Sequence, residues 1–437
     1  MTWPAGRAAV GDLEDTYTPD GRAAPGAYPI PAGRGRWRVT LHARDFTASL
    51  TPYQTSLAAL PDAANRKLTR AWNTPAQLDF TIDGRSDQAS LIAELQQDVM
   101  AWRWDDTAGA DRAMFRGVVS QTSDTVSEES HLLAVTAHDY AGMFARRLLT
   151  NALAYNNVDQ DDIVADLVSK ANNVVSVNGT PMSPGSVMPL TVALVNPDGT
   201  TRTAKSGQAR VRNYNASTDI ATLLGELAAV INGFDYDVLP TGLNGTADAL
   251  RLFYPYQGVQ RSDLALVYGS SVTALTRQID SGAYGNFWRA VGNNGSADPA
   301  APQLVAETWN TDANSVSTRP VGLWMSVDNA PSVVTQATLN DQANGDLSMH
   351  GTIIPTYTLT LAPGFYGYGS PYLGDVVPLV VRSGRLNVNT NVRVLGIAYN
   401  IGADGQEDVA LTVGQPGRTL VQMIQQSQSD VNALARR

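Results

Sequence analysis

Alternation of apolar and polar positions at period two runs through most of the chain and is cleanest near the C-terminus. After Leu373-Gly374-Asp375, the run Val376 to Val381 is followed by Ser383-Gly384. A long, mostly apolar run from Val388 to Gly402 then leads to Asp404-Gly405, and Val409, Leu411 and Val413 alternate with polar residues. Apolar alternation interrupted by glycine-containing turn pairs predicts strands joined by hairpins. The same reasoning predicts strands at 37–41, 77–82, 100–104, 114–120 and 132–137. Between the second and third of these, Asp87 caps a predicted helix with Leu91, Ile92, Leu95 and Val99 at helical spacing. A short helix is expected from Tyr140 to Leu148.

Period 3.6 takes over twice in the middle of the chain. One helix is predicted near 159–171, with Ile163, Val164, Leu167 and Val168 on one face. A second is predicted over 218–232, with Ile220, Leu223, Leu224 and Leu227 buried and Asn232-Gly233 as its stop. Strands are expected at 234–239, 249–256, 264–268, 272–279 and 287–291. Residues 296–320 are polar and contain proline, and read as a loop. A helix over 331–349, carrying Val334, Ala337 and Leu347, and a strand at 356–361 lead back to the C-terminal alternation. In the tail, Leu420, Ile424, Ser427, Val431 and Leu434 recur at spacings of four and three, a short heptad seam interrupted by serine. Two and a half heptads are marginal alone, which leaves open a helix docked on its own domain or a coiled coil. Residues 1–35 are rich in Gly, Pro and Ala without periodicity and read as an extended arm.

Composition narrows the function classes. The chain has 437 residues, enough for several domains, and at 43% hydrophobic and 16% charged it is not a disordered polyelectrolyte. A net charge of −10 argues against a dedicated nucleic-acid binder, which needs clustered cations to neutralise phosphates. Arg34, Arg36 and Arg38 are the nearest approach to such a cluster. The absence of cysteine excludes disulfides and Cys-based zinc sites. Met1-Thr2-Trp3-Pro4 lacks the regions of a signal peptide, and no apolar run reaches the ~18 residues of a membrane helix.

Candidate chemistry is sparse. His42, His131, His138 and His350 are the only histidines, and none has zinc-ligand spacing. His138-Asp139 offers half a catalytic triad without a Gly-x-Ser-x-Gly elbow. Gly364, Gly367 and Gly369 approach a nucleotide fingerprint, but Tyr372 stands in the last glycine's place and no βαβ unit follows. The carboxylate pairs Asp105-Asp106, Glu128-Glu129 and Asp161-Asp162 suggest a glycosidase, yet the first two fall in predicted hairpin turns and the third in a helical first turn. Trp102, Trp104, Trp288, Tyr254 and Tyr256 would make a sugar-stacking surface, or else core. No catalytic, cofactor-binding or metal-binding residue is assigned, and no cofactor is expected.

The order of elements resembles a known family. Thr74-Pro75-Ala76 to Ile82, then Phe115-Arg116-Gly117-Val118-Val119, then Ala134 to Tyr140 running into a helix is similar to the minor tail proteins of siphophages. The narrower likeness is to the tail-tip hub family, related in fold to the baseplate hubs of contractile tails. Leu266 to Gly269, Asn286 to Gly292, Tyr372-Leu373-Gly374-Asp375 and the terminal Leu411-Thr412-Val413-Gly414 extend the resemblance over roughly 37–149 and 215–417. It implies a mainly β, α+β, multidomain fold with two β-barrel-like domains and a mixed α/β insert. The divisions expected are an arm at 1–35, a first hub domain at 36–149, a mixed α/β domain at 150–295, a linker at 296–320, a second hub domain at 321–417 and a C-terminal helix at 418–437. It implies a non-enzymatic virion protein of the tail tip, made in the host cytoplasm. The protein would act as a homotrimer joining the tail tube or distal tail protein to tape-measure, tip or fibre proteins, with a lumen that DNA crosses only in transit. Alternatives from other classes are a carbohydrate- or receptor-binding tail module and a wall-degrading enzyme.

Overall fold

The computed structural model describes residues 37–43, 56–105, 108–172, 176–177, 180–181, 190–229, 232–240, 248–279, 281–282, 284–292, 302–309, 322–330, 336–351, 355–363, 371–402 and 406–414. The arm, the glycine-rich stretch 364–370, Asp404-Gly405 and the heptad seam lie outside them. The strands in the N-terminal part are β1 (Trp37–Ala43), β2 (Ser56–Ala59), β3 (Ala64–Ala71), β4 (Gln77–Asp83), β5 (Gln97–Asp105), β6 (Ala110–Val126), β7 (His131–Asp139) and β8 (Leu153–Asp159). Helix α1 (Gln160–Asn172) is followed by β9 (Ser176–Val177), β10 (Thr180–Pro181), β11 (Leu190–Val195) and β12 (Ala209–Tyr214). After α2 (Ile220–Ala229) come β13 (Asp235–Leu239), β14 (Asp248–Phe253), β15 (Leu266–Val267), β16 (Val272–Ile279), β17 (Phe287–Gly292), β18 (Leu304–Trp309) and β19 (Met325–Ala330). Helix α3 (Gln336–His350) precedes β20 (Pro355–Leu361), β21 (Val376–Ser383), β22 (Leu386–Ile401) and β23 (Glu407–Gly414). The fold is mainly β, as the alternation predicts.

The described residues form two compact units. One runs to Leu275 and resumes at Thr358, ending at Val413; the other spans Thr276–Tyr357. The first is dominated by a 13-stranded sheet in the order β16-β20-β23-β22-β3-β4-β7-β6-β5-β1-β2, with β21 also on β22 and β15 on β21. Besides pairing with β23, strand β22 serves two further partners in succession. Its first half pairs antiparallel with β21 from Ser383↔Leu386 to Val376↔Arg393, and its second half pairs with β3 from Ala71↔Gly396 to Arg66↔Ile401. Burial follows the division: outward positions before Asn391 are exposed, whereas Val392 to Ile397 are buried throughout. N-terminal and C-terminal strands therefore share one sheet.

A mixed α/β part of the same unit packs α1 and α2 near the three-stranded β11-β14-β13, in which β11 is parallel to β14 and β13 antiparallel. Ile163, Val164, Leu167 and Val168 of α1 and Ile220, Leu223, Leu224 and Leu227 of α2 are all buried there, with Tyr140 and Phe144. Both predicted helices thus present their expected faces. Asn232, the expected stop, has φ 57°.

Three expectations need correction. The helix predicted after Asp87 is only a 3-10 turn, Ala89–Leu91, and Leu91 and Leu95 are exposed. Leu95 takes φ 63°, its amide donates to the Val119 carbonyl, and Val99 is pulled into β5 between β1 and β6. Sheet pairing on both sides outweighs the propensity of a short periodic run. The helix at 140–148 is a 3-10 helix, Tyr140–Arg146, capped by Asp139. The stretch read as a loop at 296–320 contains β18, whose six residues pair with β17. Strand β3 was not predicted, because Asn65, Arg66 and Lys67 break its alternation.

Candidate functional site

A buried network of charges in the first unit is the most specific polar arrangement among the described residues. Asp235 and Asp237 point the same way from β13, being two apart in a strand. Asp237 accepts two hydrogen bonds at 2.7 Å from the Arg251 guanidinium on β14 and a third, at 2.8 Å, from the Gln257 side chain. Arg70 of β3 stands 3.6 Å from the same carboxylate and 5.6 Å from the centre of the Tyr372 ring. Burial works against the charge on Asp237, but Arg251 and Arg70 outweigh it and hold the carboxyl below its ordinary range. Arg393 of β22 donates to Asp235 at 2.8 Å and to the carbonyls of Gln257 and Gly374, and lies 3.6 Å above the Trp72 ring. Asp375 accepts from the Tyr372 and Val259 amides and from Arg261. The network ties the mixed α/β part to β3 and to the β21–β22 hairpin.

Two glycines let these backbones meet. Gly374 has φ 82° and Gly258 φ 97°, conformations that side-chain-bearing residues rarely adopt. A Cβ on either would overlap the other segment's backbone. This accounts for Leu373-Gly374-Asp375 ahead of β21. A second clamp joins the first strand to the last: Trp37 Nε1 and Arg103 Nε both donate to Glu407 Oε2, at 3.0 and 3.1 Å. A third pairs Arg116 of β6 with Asp248 of β14 at 3.1 Å, both fully buried. Sequence reasoning missed Asp235, Asp237, Arg251, Arg261 and Arg393. The available signal was charge inside apolar strands, Phe234-Asp235-Tyr236-Asp237-Val238 and Leu250-Arg251-Leu252.

The chemical candidates disperse. Asp139 turns away from His138: its carboxylate accepts the Ala76 and Ala141 amides, while His138 Nδ1 lies 2.8 Å from Ser120 Oγ. Ser120 Oγ also lies 3.0 Å from the Thr136 carbonyl, an acceptor that competes with His138 for its one proton. His42 is buried beside Thr40 and pushed down to about 4 by burial and by Arg116 and Arg38. His131 bonds Asp124 beside the β6–β7 turn, and His350 stacks on Trp288. Asp105 is buried against Arg112, Glu128 and Glu129 sit in the exposed turn between β6 and β7, and Asp161 and Asp162 pair with Arg202 and Lys205. Trp102 and Trp288 are core residues, so the five proposed aromatics form no common surface. The described residues contain no group of three or more potential metal ligands. None of their helices is long and apolar enough to cross a membrane.

The second unit is built on the sheet β18-β17-β19. Register puts Trp288, Ala290, Ala306, Thr308, Ser326 and Asp328 on one face, where Leu339 and Ala343 of α3 complete a small core. The opposite face has three rows. Trp309, Phe287 and Met325 form the first, Glu307, Arg289 and Val327 the second, and Val305, Val291 and Asn329 the third. Trp309 is 56% exposed, Met325 59% and Val327 57%, and the Phe287 and Trp309 rings lie 8° from parallel. Arg289 and Glu307 are ion-paired at 2.5 Å in the middle of this apolar surface.

No protein-family model matches the sequence, and no curated protein matches it. Solved structures do. The 43 kDa tail protein of prophage MuSo2 from Shewanella oneidensis superposes with a TM-score of 0.56 at 12% identity, over 87% of this chain and 98% of that one. The tail protein from Neisseria meningitidis MC58 gives 0.53 at 11%, over 87% and 97%. A chain of the half-lidded Francisella PdpA-VgrG complex gives 0.51 at 8%, over 88% of this chain and 59% of that one. The fold of this chain is the one found in those tail proteins, as the resemblance in its sequence implies.

Proposed function

We propose that the chain is a structural protein of a bacteriophage tail, and more narrowly a homotrimeric hub at the tail tip. It joins the tail tube to the distal tip proteins around a lumen for the genome and turns nothing over. The observation that carries this reading is the fold match to the Shewanella prophage tail protein, nearly end to end on both chains. The buried clamps support it, because a scaffold under load gains from cross-links that fix the angle between its parts. A net charge of −10 is compatible with a passage that must not retain phosphate.

Light scattering on a sizing column tests the trimer. A chain of 46.6 kDa gives a closed three-fold ring of about 140 kDa. A stable dimer overturns the ring. Gold-labelled antibody on intact virions tests the place, with label expected at the distal end of the tail; label elsewhere on the particle, or none, overturns the tip position.

A further inference from the structure

The outer face of β18-β17-β19 carries more apolar surface than a sheet facing water. Where one face of a sheet meets solvent, its outward positions are polar; here Phe287, Val291, Val305, Trp309, Met325 and Val327 all point outward. Leu323 and Trp324, just ahead of β19, are exposed as well. Single exposed apolar residues are ordinary, but a contiguous patch marks a contact surface.

We propose that this face is a contact between copies of this chain, covered by the next copy in the assembly; the inference rests on the homotrimer proposed above. Charge is the first reason for a second copy. Across the strands the middle row reads Glu307, Arg289, Val327. Repeated head to tail around a closed ring, its charges alternate in sign and no like charges adjoin. The Arg289–Glu307 pair is already neutral within each copy, so covering the face strands no uncompensated charge. Size is the second reason. Three strands of six residues make a face about 14 Å by about 20 Å, or roughly 300 Å². A stand-alone interface takes about 800 Å² from each partner. The face therefore suits one patch of a larger symmetric assembly better than an isolated pair.

Light scattering on full-length variants tests the contact. Val327→Arg on β19 and Val305→Arg on β18 each place an unpaired cation on the face, and Val126→Arg, at an exposed position on the β6–β7 hairpin of the first unit, is the control. The parent and the control are expected at about 140 kDa, and both face variants at the 46.6 kDa of one chain. Val305 and Val327 are exposed in the single chain, so an unchanged circular dichroism spectrum for either variant shows that lost mass is lost assembly. Face variants that stay at the parent mass overturn the proposal and leave the trimer standing; a lowered melting temperature in them would give the cover to another part of the same chain. A dimeric parent that the face variants reduce to monomers keeps the contact and overturns the trimer. A monomeric parent overturns both.

Discussion

Gly258 and Gly374 sit where two backbones meet, each in a left-handed conformation: a Cβ on Gly258 would overlap the Gly374 carbonyl, and one on Gly374 would overlap the carbonyl of Gln257, the residue before Gly258. Arg393 and Asp375 are positioned by that contact, since Arg393 bonds the Gly374 carbonyl and Asp375 follows directly in sequence. Gly374→Ala is therefore expected to destabilise the first unit by more than about 3 kcal/mol, combining backbone strain with a steric clash. Gly269→Ala is the control. It has φ 86° but open space around its Cβ, and should cost only about 1–2 kcal/mol. Denaturant titration of both variants checks the difference, and equal losses refute the packing argument.

The Asp237–Arg251 pair should behave as a unit. Arg251→Met strands a buried carboxylate and is expected to cost about 3–5 kcal/mol. Replacing both, as Asp237→Leu with Arg251→Met, should recover part of that loss, because no buried carboxylate is then stranded, although Gln257 loses its bond to Asp237. Arg70 keeps the recovery incomplete, being left beside a vanished charge. A double-mutant cycle on unfolding free energies reads the coupling, and simple additivity would contradict it.

Two groups give opposite pH dependences. His42 is depressed to about 4, so the unfolded chain binds its proton more readily; the stability tied to neutral His42 is lost as pH falls from about 6.5 to 4. Asp346 of α3 is raised to about 7, by burial first and then by the neighbouring Asp328, so the folded protein holds that proton more tightly. Its contribution is present below about pH 4 and is lost as pH rises to about 7. Asp346→Asn should flatten the loss on the alkaline side without altering the acid side. Hydrogen exchange resolved to α3 and β1 at pH 5 and pH 8 separates the two, and an unchanged α3 profile in the variant would refute the Asp346 assignment.

The clamp between the chain's first and last described strands gives a fourth expectation. Glu407→Ala leaves Arg103 buried without this carboxylate and removes the acceptor for Trp37. A loss of about 3–5 kcal/mol is expected. The emission of Trp37 should shift as its environment wets, measured against a variant lacking that tryptophan. An unshifted spectrum with full stability would show the clamp to be dispensable.

How much of this could be read in advance follows from the range of the forces involved. The Val376–Ser383 and Leu386–Ile401 hairpin is local, and Gly384 with φ 54° marks its turn in the sequence itself. The faces of α1 and α2 are likewise set by spacing within four residues. The helix expected at Asp87 was lost to pairing with the following strand β6 on one side and with the distant β1 on the other, a sandwiching that a helical window does not register. Strand β3 was not legible because Asn65, Arg66 and Lys67, three polar residues in a row, break its alternation, and its partner on one side comes from beyond residue 395. The charge network is legible only as an oddity, aspartate and arginine within apolar strands; which ones meet depends on the tertiary fold. The chemical candidates each take separate structural partners, so the pairs the sequence suggested are not brought together as sites.

Strand β22 has a further consequence, in the order of events during synthesis. Its second half closes the edge of β3, yet it emerges from the ribosome long after β3 has been made. Until then β3 carries an unpaired row of backbone donors and acceptors, open to any passing strand. The N-terminal sheet must wait incomplete through most of translation, and pairing across such a span is slow. Truncated products lacking β22 are thus expected to collect in aggregates rather than persist as a soluble half.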